Sequence, residues 1–182
     1  MASAPSVWRT IAAEAAAESV LWEQALRPEP AWAAAPLFSA LGADRFALAV
    51  ESIYEGYLLH YGRPRLFAPG DADTAVLLGD YLYAHGLVRL SALGETGPVA
   101  DLAELISLCT QLRAAGTEPP SLDGVAWAAT AAWLGVSGSG LEQARAALRL
   151  DGDPAPLERM AAEAVGAERL ARALAAHRAL VE

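Results

Sequence analysis

Lysine and asparagine are absent from the sequence, and cysteine occurs once, as Cys109. A single cysteine cannot form an internal disulfide, and its position in the apolar run 105–112 indicates a small buried side chain in a reducing compartment. Without lysine, the glycine- and serine-rich segment 135–140 lacks the residue that completes a phosphate-binding P-loop, and no strand is predicted before it. We therefore interpret this segment as a connection between helices.

Basic charge is also scarce. The chain has 13 basic against 22 acidic side chains and a net charge of -9, which repels nucleic acid and anionic membrane surfaces. The N-terminus lacks a basic start followed by an apolar stretch, so no signal peptide is expected. The longest uncharged run, from Gly124 to Leu141, is too short in its apolar part to cross a bilayer. A cytoplasmic protein without a transmembrane segment and without affinity for nucleic acid is expected.

Helix-forming residues dominate what is present. Hydrophobic residues make up 54% of the 182 positions, much of this fraction is alanine, and β-branched residues are few. No segment shows the two-residue alternation of an amphipathic strand. The composition predicts a single all-α domain over residues 1–182, folded as an antiparallel bundle of about eight helices joined by short connections.

Proline, glycine and capping residues place the helix boundaries. Asp44 and Asp71 or Asp73 are expected to cap the third and fourth helices, and Ser139 with Glu142 forms a capping box before the seventh. The predicted helices run from Ser6 to Arg27, Trp32 to Leu41 (a short helix interrupted near Pro36), Asp44 to Tyr61, Asp71 to Leu93, Pro98 to Gly116 and Asp123 to Leu134, followed by helices from Ser139, Asp153 and Ala167.

Two neighbouring segments carry the most specific pattern in the chain. The predicted third helix contains Glu-Ser-Ile-Tyr-Glu at 51–55 and is followed by Gly-Arg-Pro-Arg at 62–65. The predicted fourth helix contains Leu-Leu-Gly-Asp-Tyr-Leu at 77–82. This order and spacing resembles the region of the first aspartate-rich motif in trans-prenyl diphosphate synthases. The resemblance implies an isoprenoid-synthase-like helical fold.

In that family, two aspartate-rich motifs hold magnesium ions that bind an allylic diphosphate. The resemblance places Glu51 and Glu55 on the first motif, with its middle carboxylate missing. No Asp-Asp pair is present for the second motif. His60 and Tyr61 stand where the family has paired arginines, and Asp123 and Gly124 stand where it has lysine and threonine. The resemblance thus implies a chain that has lost the residues of diphosphate chemistry.

The residues themselves leave the remaining site open. Glu51 and Glu55 are four positions apart on one helix face, where they can approach a divalent cation together or simply form a solvated face. Arg63 and Arg65 can bind phosphate or pair with neighbouring carboxylates. Asp80 can hydrogen-bond to a neighbouring helix or lie at the mouth of a ligand cavity. Magnesium is expected only if this residual site binds a diphosphate.

Three hypotheses follow. The first is a non-catalytic, polyprenyl-synthase-like protein that acts as a partner or regulatory subunit in isoprenoid metabolism, in a homo- or hetero-oligomer that can include a complete prenyl diphosphate synthase. The second is a prenyl-diphosphate-binding protein, or a prenyltransferase-like enzyme, that uses Glu51, Glu55, Arg63 and Asp80 between helices. The third is a plain helical bundle unrelated to isoprenoids. A stripe formed by Tyr54, Tyr57 and Tyr61 is more typical of a core than of an interface.

Overall fold

A computed structural model describes residues 4–32, 35–116, 121–138 and 140–182, without the side chains of 4–6 and 121. Over these residues the regular secondary structure is helical and there is no strand, which confirms the predicted all-α class, with nine α-helices described where about eight were predicted. Leu26 and Phe67 form an isolated antiparallel bridge. The helices are α1 (Ala4–Glu18), α2 (Val20–Ala25), α3 (Ala47–Tyr61), α4 (Ala72–Ser91), α5 (Thr96–Ala114), α6 (Ser121–Trp133), α7 (Leu141–Asp151), α8 (Ala155–Val165) and α9 (Ala167–Val181), with 3-10 turns at Glu29–Ala31, Ser39–Leu41 and Asp44–Phe46.

The N-terminal quarter differs from the prediction. The first helix is interrupted at Ser19, whose backbone is extended (φ -154°, ψ 137°) and whose hydroxyl accepts a hydrogen bond from the Leu21 amide. Serine is a favourable N-cap, and here it starts a new helix rather than continuing the old one. The predicted short helix from Trp32 to Leu41 is wrong in its described part, which contains only a 3-10 turn, although an interruption near Pro36 is expected because proline disfavours helical geometry at the preceding residue.

The predicted caps had mixed outcomes. Asp71 caps α4 as expected, accepting a hydrogen bond from the Thr74 amide at 2.8 Å, and Asp153 accepts one from the Ala155 amide before α8. Asp44 instead opens a 3-10 turn, and α3 begins three residues later. Ser139 lies outside the described residues; Gly140, with φ 81°, is the N-cap of α7.

Helix α3 forms the centre of the fold. Its residues 49–59 are all buried, and α4 is its principal neighbour. One hydrophobic cluster joins α3 to α5, α6, α7, α8 and α9, and a second lies between α1, α2, α3 and α4. Tyr54 and Tyr57 have no exposed surface, so these two tyrosines belong to the core.

Two expectations from composition concern burial and membranes. Cys109 is buried, and burial raises the pKa of its thiol well above the usual value, which makes it unreactive. Among the described residues, no helix combines the length and apolar character needed to cross a bilayer.

Glycines allow α3 and α4 to approach closely. A Cβ at Gly86 would lie 2.4 Å from Cγ1 of Ile53 and 3.1 Å from the carbonyl oxygen of Ala49, both on α3. We expect Gly86→Ala to lower the free energy of unfolding by about 1–2 kcal/mol, because overpacking outweighs the gain in helix propensity. Urea denaturation measures the change. Gly97→Ala is the matched control, since nothing lies within 4 Å of a Cβ there; equal effects of the two substitutions would contradict the prediction.

Candidate functional site

Glu51, Glu55 and Arg65 meet in the interior of the protein. The two glutamates lie one turn apart on α3, and Arg65 follows the turn that ends the helix. Their side chains are 1%, 0% and 3% exposed. Nη2 of Arg65 lies 2.9 Å from Oε2 of Glu51, and its Nε lies 3.1 Å from Oε2 of Glu55. We call these three residues the Arg65 triad. Of the readings left open by the sequence, pairing of Arg65 with carboxylates is the one found.

Main-chain amides bind the other carboxylate oxygens of the triad. Oε1 of Glu51 accepts hydrogen bonds from the amides of Leu37 (3.2 Å) and Ser39 (3.3 Å) and from the Ser39 hydroxyl. Oε1 of Glu55 accepts hydrogen bonds from the amides of Arg65 and Leu66, both at 2.7 Å. Every carboxylate oxygen therefore has a donor, which is the condition under which buried carboxylates are tolerated.

Aromatic rings enclose the guanidinium. The Cζ atom of Arg65 lies 4.4 Å from the centre of the Trp8 ring and 4.8 Å from that of Tyr54, and Nη1 donates to the Ala35 carbonyl at 3.3 Å. Burial by itself lowers the pKa of Arg65, but the two nearby carboxylates outweigh burial, and the net shift is upward. Arg65 is therefore a permanent cation within the core, and α1 contacts it through Trp8.

The other two candidate residues lie elsewhere. Arg63 is exposed; its guanidinium donates to the carbonyl of Ala179 and its amide to that of Leu180 at 2.8 Å, so it caps the C-terminal end of α9. Asp80 is 66% exposed on α4, with Oδ1 3.2 Å from Nε2 of His60 on α3. The structure thus brings three of the five sequence-predicted residues together and uses the remaining two in separate helix contacts.

A second buried network was not predicted. Oδ2 of Asp123 accepts hydrogen bonds from the Tyr57 hydroxyl at 2.6 Å and from Nε of Arg113 at 2.5 Å, and Nη2 of Arg113 donates to the Tyr57 oxygen at 2.6 Å. Burial raises the pKa of Asp123, and the hydrogen bonds from Tyr57 and the charge of Arg113 oppose this shift. Burial, together with the Asp123 carboxylate, also raises the pKa of Tyr57, so its hydroxyl stays protonated.

His177 extends the polar interior towards α9. It is 1% exposed, and its Nδ1 lies 2.9 Å from the Tyr54 hydroxyl oxygen. Within the described part of the chain, Nε2 has no hydrogen-bond partner. Burial lowers the pKa of His177 to about 3, and the charges of Arg113 and Arg178 act in the same direction. The imidazole is therefore neutral at physiological pH. The sequence offered no signal for this role, since Tyr54 and His177 are 123 positions apart.

Arg145 joins α5, α6 and α7. Its guanidinium donates to Oδ1 of Asp101 at 3.0 Å, to the main-chain carbonyl of Asp101 at 2.9 Å and to the Thr130 hydroxyl at 3.0 Å. It borders a half-open surface cleft of about 440 Å³, together with Glu104, Glu142 and Arg149. Arg149 pairs with Glu104 across the cleft, so the basic groups here are already matched by acids of the same chain.

The charged groups of the interior are therefore bonded to each other. Among the described residues, no group of three or more His, Cys, Asp or Glu side chains is placed to hold a metal ion. The Arg65 triad and the Asp123 network each connect distant segments through charge-assisted hydrogen bonds. As arranged, they position helices rather than present a free acid, base or ligand to solvent.

Comparison of the chain with family models, curated proteins and solved structures found no match. The relation to trans-prenyl diphosphate synthases therefore remains a prediction based on the residues of α3, α4 and the turn between them.

Proposed function

We propose that the protein is a non-catalytic helical protein that acts by association, as a partner or regulatory subunit of a trans-prenyl diphosphate synthase. One observation carries the proposal. The two glutamates at the positions that the resemblance assigns to the first aspartate-rich motif are fully buried and bound to Arg65 and main-chain amides. The proposal includes a cytoplasmic location and assembly in a homo- or hetero-oligomer.

The chemistry of magnesium supports this choice over a surviving ligand site. Magnesium requires near-octahedral oxygen coordination and is usually held by carboxylates together with substrate phosphates and water. Glu51 and Glu55 would have to release Arg65 and leave the core before they could coordinate such an ion. Freeing Arg65 in the interior would leave an unpaired buried charge, which is strongly unfavourable.

The residues that stand at the family's other diphosphate-binding positions support the proposal as well. His60 and Tyr61, at the positions of the family's paired arginines, contact Asp80 and Thr110 respectively. Asp123, at the approximate position of the family's lysine, is an acid held by Tyr57 and Arg113. At these positions, the basic residues that would bind a diphosphate are replaced by residues that connect helices to each other.

Thermal unfolding tests the absence of a diphosphate site. We expect no change in the thermal midpoint when farnesyl diphosphate is added, either with magnesium or with a chelator, because a ligand raises apparent stability only when it binds the folded state. A complete prenyl diphosphate synthase measured alongside serves as the positive control. A rise that requires both ligand and magnesium would contradict the proposal and favour a working site around Glu51 and Glu55.

Association is tested by co-expression with a complete trans-prenyl diphosphate synthase encoded in the same genome. A stable complex that survives affinity purification and size-exclusion chromatography is the expected result. Separate elution of the two chains at micromolar concentration would count against the proposed partner.

A further inference from the structure

An apolar strip runs along the outer face of α4. Gly79 and Gly86 on this helix face α3, and the opposite face contains Leu77 (57% exposed) and Val88 (62% exposed). Ala84 between them is exposed and Tyr81 is partly exposed. We call Leu77, Tyr81, Ala84 and Val88 the α4 strip.

The spacing of the α4 strip distinguishes it from scattered surface hydrophobics, which are common and need no explanation. Its members are separated by four, three and four positions, which is the a/d repeat by which one helix packs against another. At 1.5 Å per residue the strip is about 16 Å long, or three helical turns. Nearby, Trp22 of α2 lies 6.0 Å from Tyr81 between ring centres, and its neighbours Val20 and Leu21 are 64% and 55% exposed. Trp22 therefore borders the α4 strip at Tyr81.

Carboxylates border the strip on both sides. Asp73 and Asp80 are exposed on α4 one heptad apart, along the edge that faces away from α2. Glu18 lies on the α2 side, close to Tyr81. Burial raises the pKa of Tyr81, and the negative charge of Glu18 raises it further. Arg89, a cation of α4, is only 14% exposed and is paired with Glu14, which also contacts His85.

This charge pattern selects among possible occupants of the strip. A second copy of the chain would bring the same carboxylates to the same contact, and like charges at an interface are unfavourable. An anionic lipid surface is repelled for the same reason. A helix with basic residues beside its own apolar seam gains both burial and charge complementarity.

We propose that the α4 strip binds an amphipathic helix of another protein whose apolar seam has the same heptad spacing and whose flanking positions carry lysine or arginine. The inference rests on the proposed function in requiring a partner, and it adds the surface and the chemistry of recognition. It does not depend on the partner being a prenyl diphosphate synthase.

Fluorescence anisotropy with two synthetic three-heptad peptides tests the proposal. Both peptides carry leucine at a and d; one has lysine and the other glutamate at e and g. We expect the full-length protein to bind the lysine peptide at least about tenfold more tightly than the glutamate peptide. Leu77→Glu combined with Val88→Glu is expected to weaken lysine-peptide binding by about tenfold or more. Leu150→Glu, at a leucine that is 78% exposed on α7, is the matched control and should leave binding unchanged.

A second pair of variants isolates the charge. Glu18→Gln with Asp80→Asn should weaken binding of the lysine peptide and reduce its salt dependence, whereas Glu158→Gln with Glu163→Gln, which removes two exposed charges from α8, should not. Circular dichroism confirms that each variant is folded. Equal binding of the two peptides, unchanged binding by the strip variant, or dissociation of a homodimer by that variant would each overturn the proposal.

The proposed association with a synthase and the proposed role of the α4 strip can be contradicted independently of each other. If peptide binding follows the strip but no synthase co-purifies, only the identity of the partner is wrong. If a synthase co-purifies equally well with the Leu77→Glu and Val88→Glu variant, the association stands and the α4 strip is not the surface responsible.

Discussion

Replacing Arg65 by methionine is expected to lower the free energy of unfolding by about 3–5 kcal/mol, because it leaves Glu51 and Glu55 buried without their counter-ion. Methionine keeps much of the apolar volume between Trp8 and Tyr54, so the loss reports mainly on charge and hydrogen bonding. Urea denaturation at neutral pH, with the slope checked for constancy, measures the effect. It is the largest effect we expect from any single substitution described here.

Two further variants serve as controls for the Arg65→Met measurement. Arg63→Met removes a neighbouring exposed arginine and should cost about 1 kcal/mol or less, since its main contacts are to the end of α9. Arg65→Met combined with Glu51→Gln and Glu55→Gln removes all three charges and should recover a large part of the loss. If Arg65→Met were no more destabilising than Arg63→Met, the triad would not have the structural role assigned to it.

Acid is expected to destabilise the protein through His177. The pKa of this residue is about 3 in the folded state, against about 6.5 in an unfolded chain. Above pH 6.5 the imidazole is neutral in both states, and its contribution to stability is fully present. Below pH 6.5 the unfolded chain binds a proton that the folded chain does not, so stability falls by about 1.4 kcal/mol per pH unit until the pH approaches 3.

The pH dependence of urea denaturation separates this contribution from other titrations. His177→Asn removes the titrating ring while keeping a polar group near the Tyr54 hydroxyl, so the variant should be less stable at pH 7 but lose less stability between pH 6.5 and 4.5. A His177→Asn variant with an unchanged slope would rule out His177 as the acid-sensitive group.

Local sequence is sufficient to predict the all-α class and most of the helix positions. Asp71 is predictable as a capping residue because it combines a short acceptor side chain with the start of an apolar periodic segment, and the Asp153-Pro154 pair predicts the start of the next helix. The break at Ser19 is not predictable from local sequence because alanine and glutamate before it, and leucine and glutamate soon after it, are good helix formers. Serine is compatible with either a helix interior or a cap, and only the packing of Trp22 and Ala25 against the rest of the second hydrophobic cluster makes the cap preferable.

The candidate site was predicted only in part. The four-residue spacing placed Glu51 and Glu55 on one helix face, and this was correct. Their complete burial could not be inferred because glutamate is rarely buried unless it is paired, and the pairing depends on the path of the chain after Gly62. That path is fixed by contacts with a distant segment, in which the Arg27 amide donates to the Leu66 carbonyl and the Ala68 amide to that of Ala25.

The composition of the Arg65 triad also bears on how the chain folds. Its donors and ring contacts come from α1, from residues 35–39, from α3 and from residues 65–66. A transition state that dehydrated either glutamate before these segments had arrived would contain an uncompensated charge, at a cost of several kcal/mol. Docking of the N-terminal helix and closure of the loop after α3 are therefore coupled steps. The amides around the triad should exchange with solvent hydrogen as one cooperative unit.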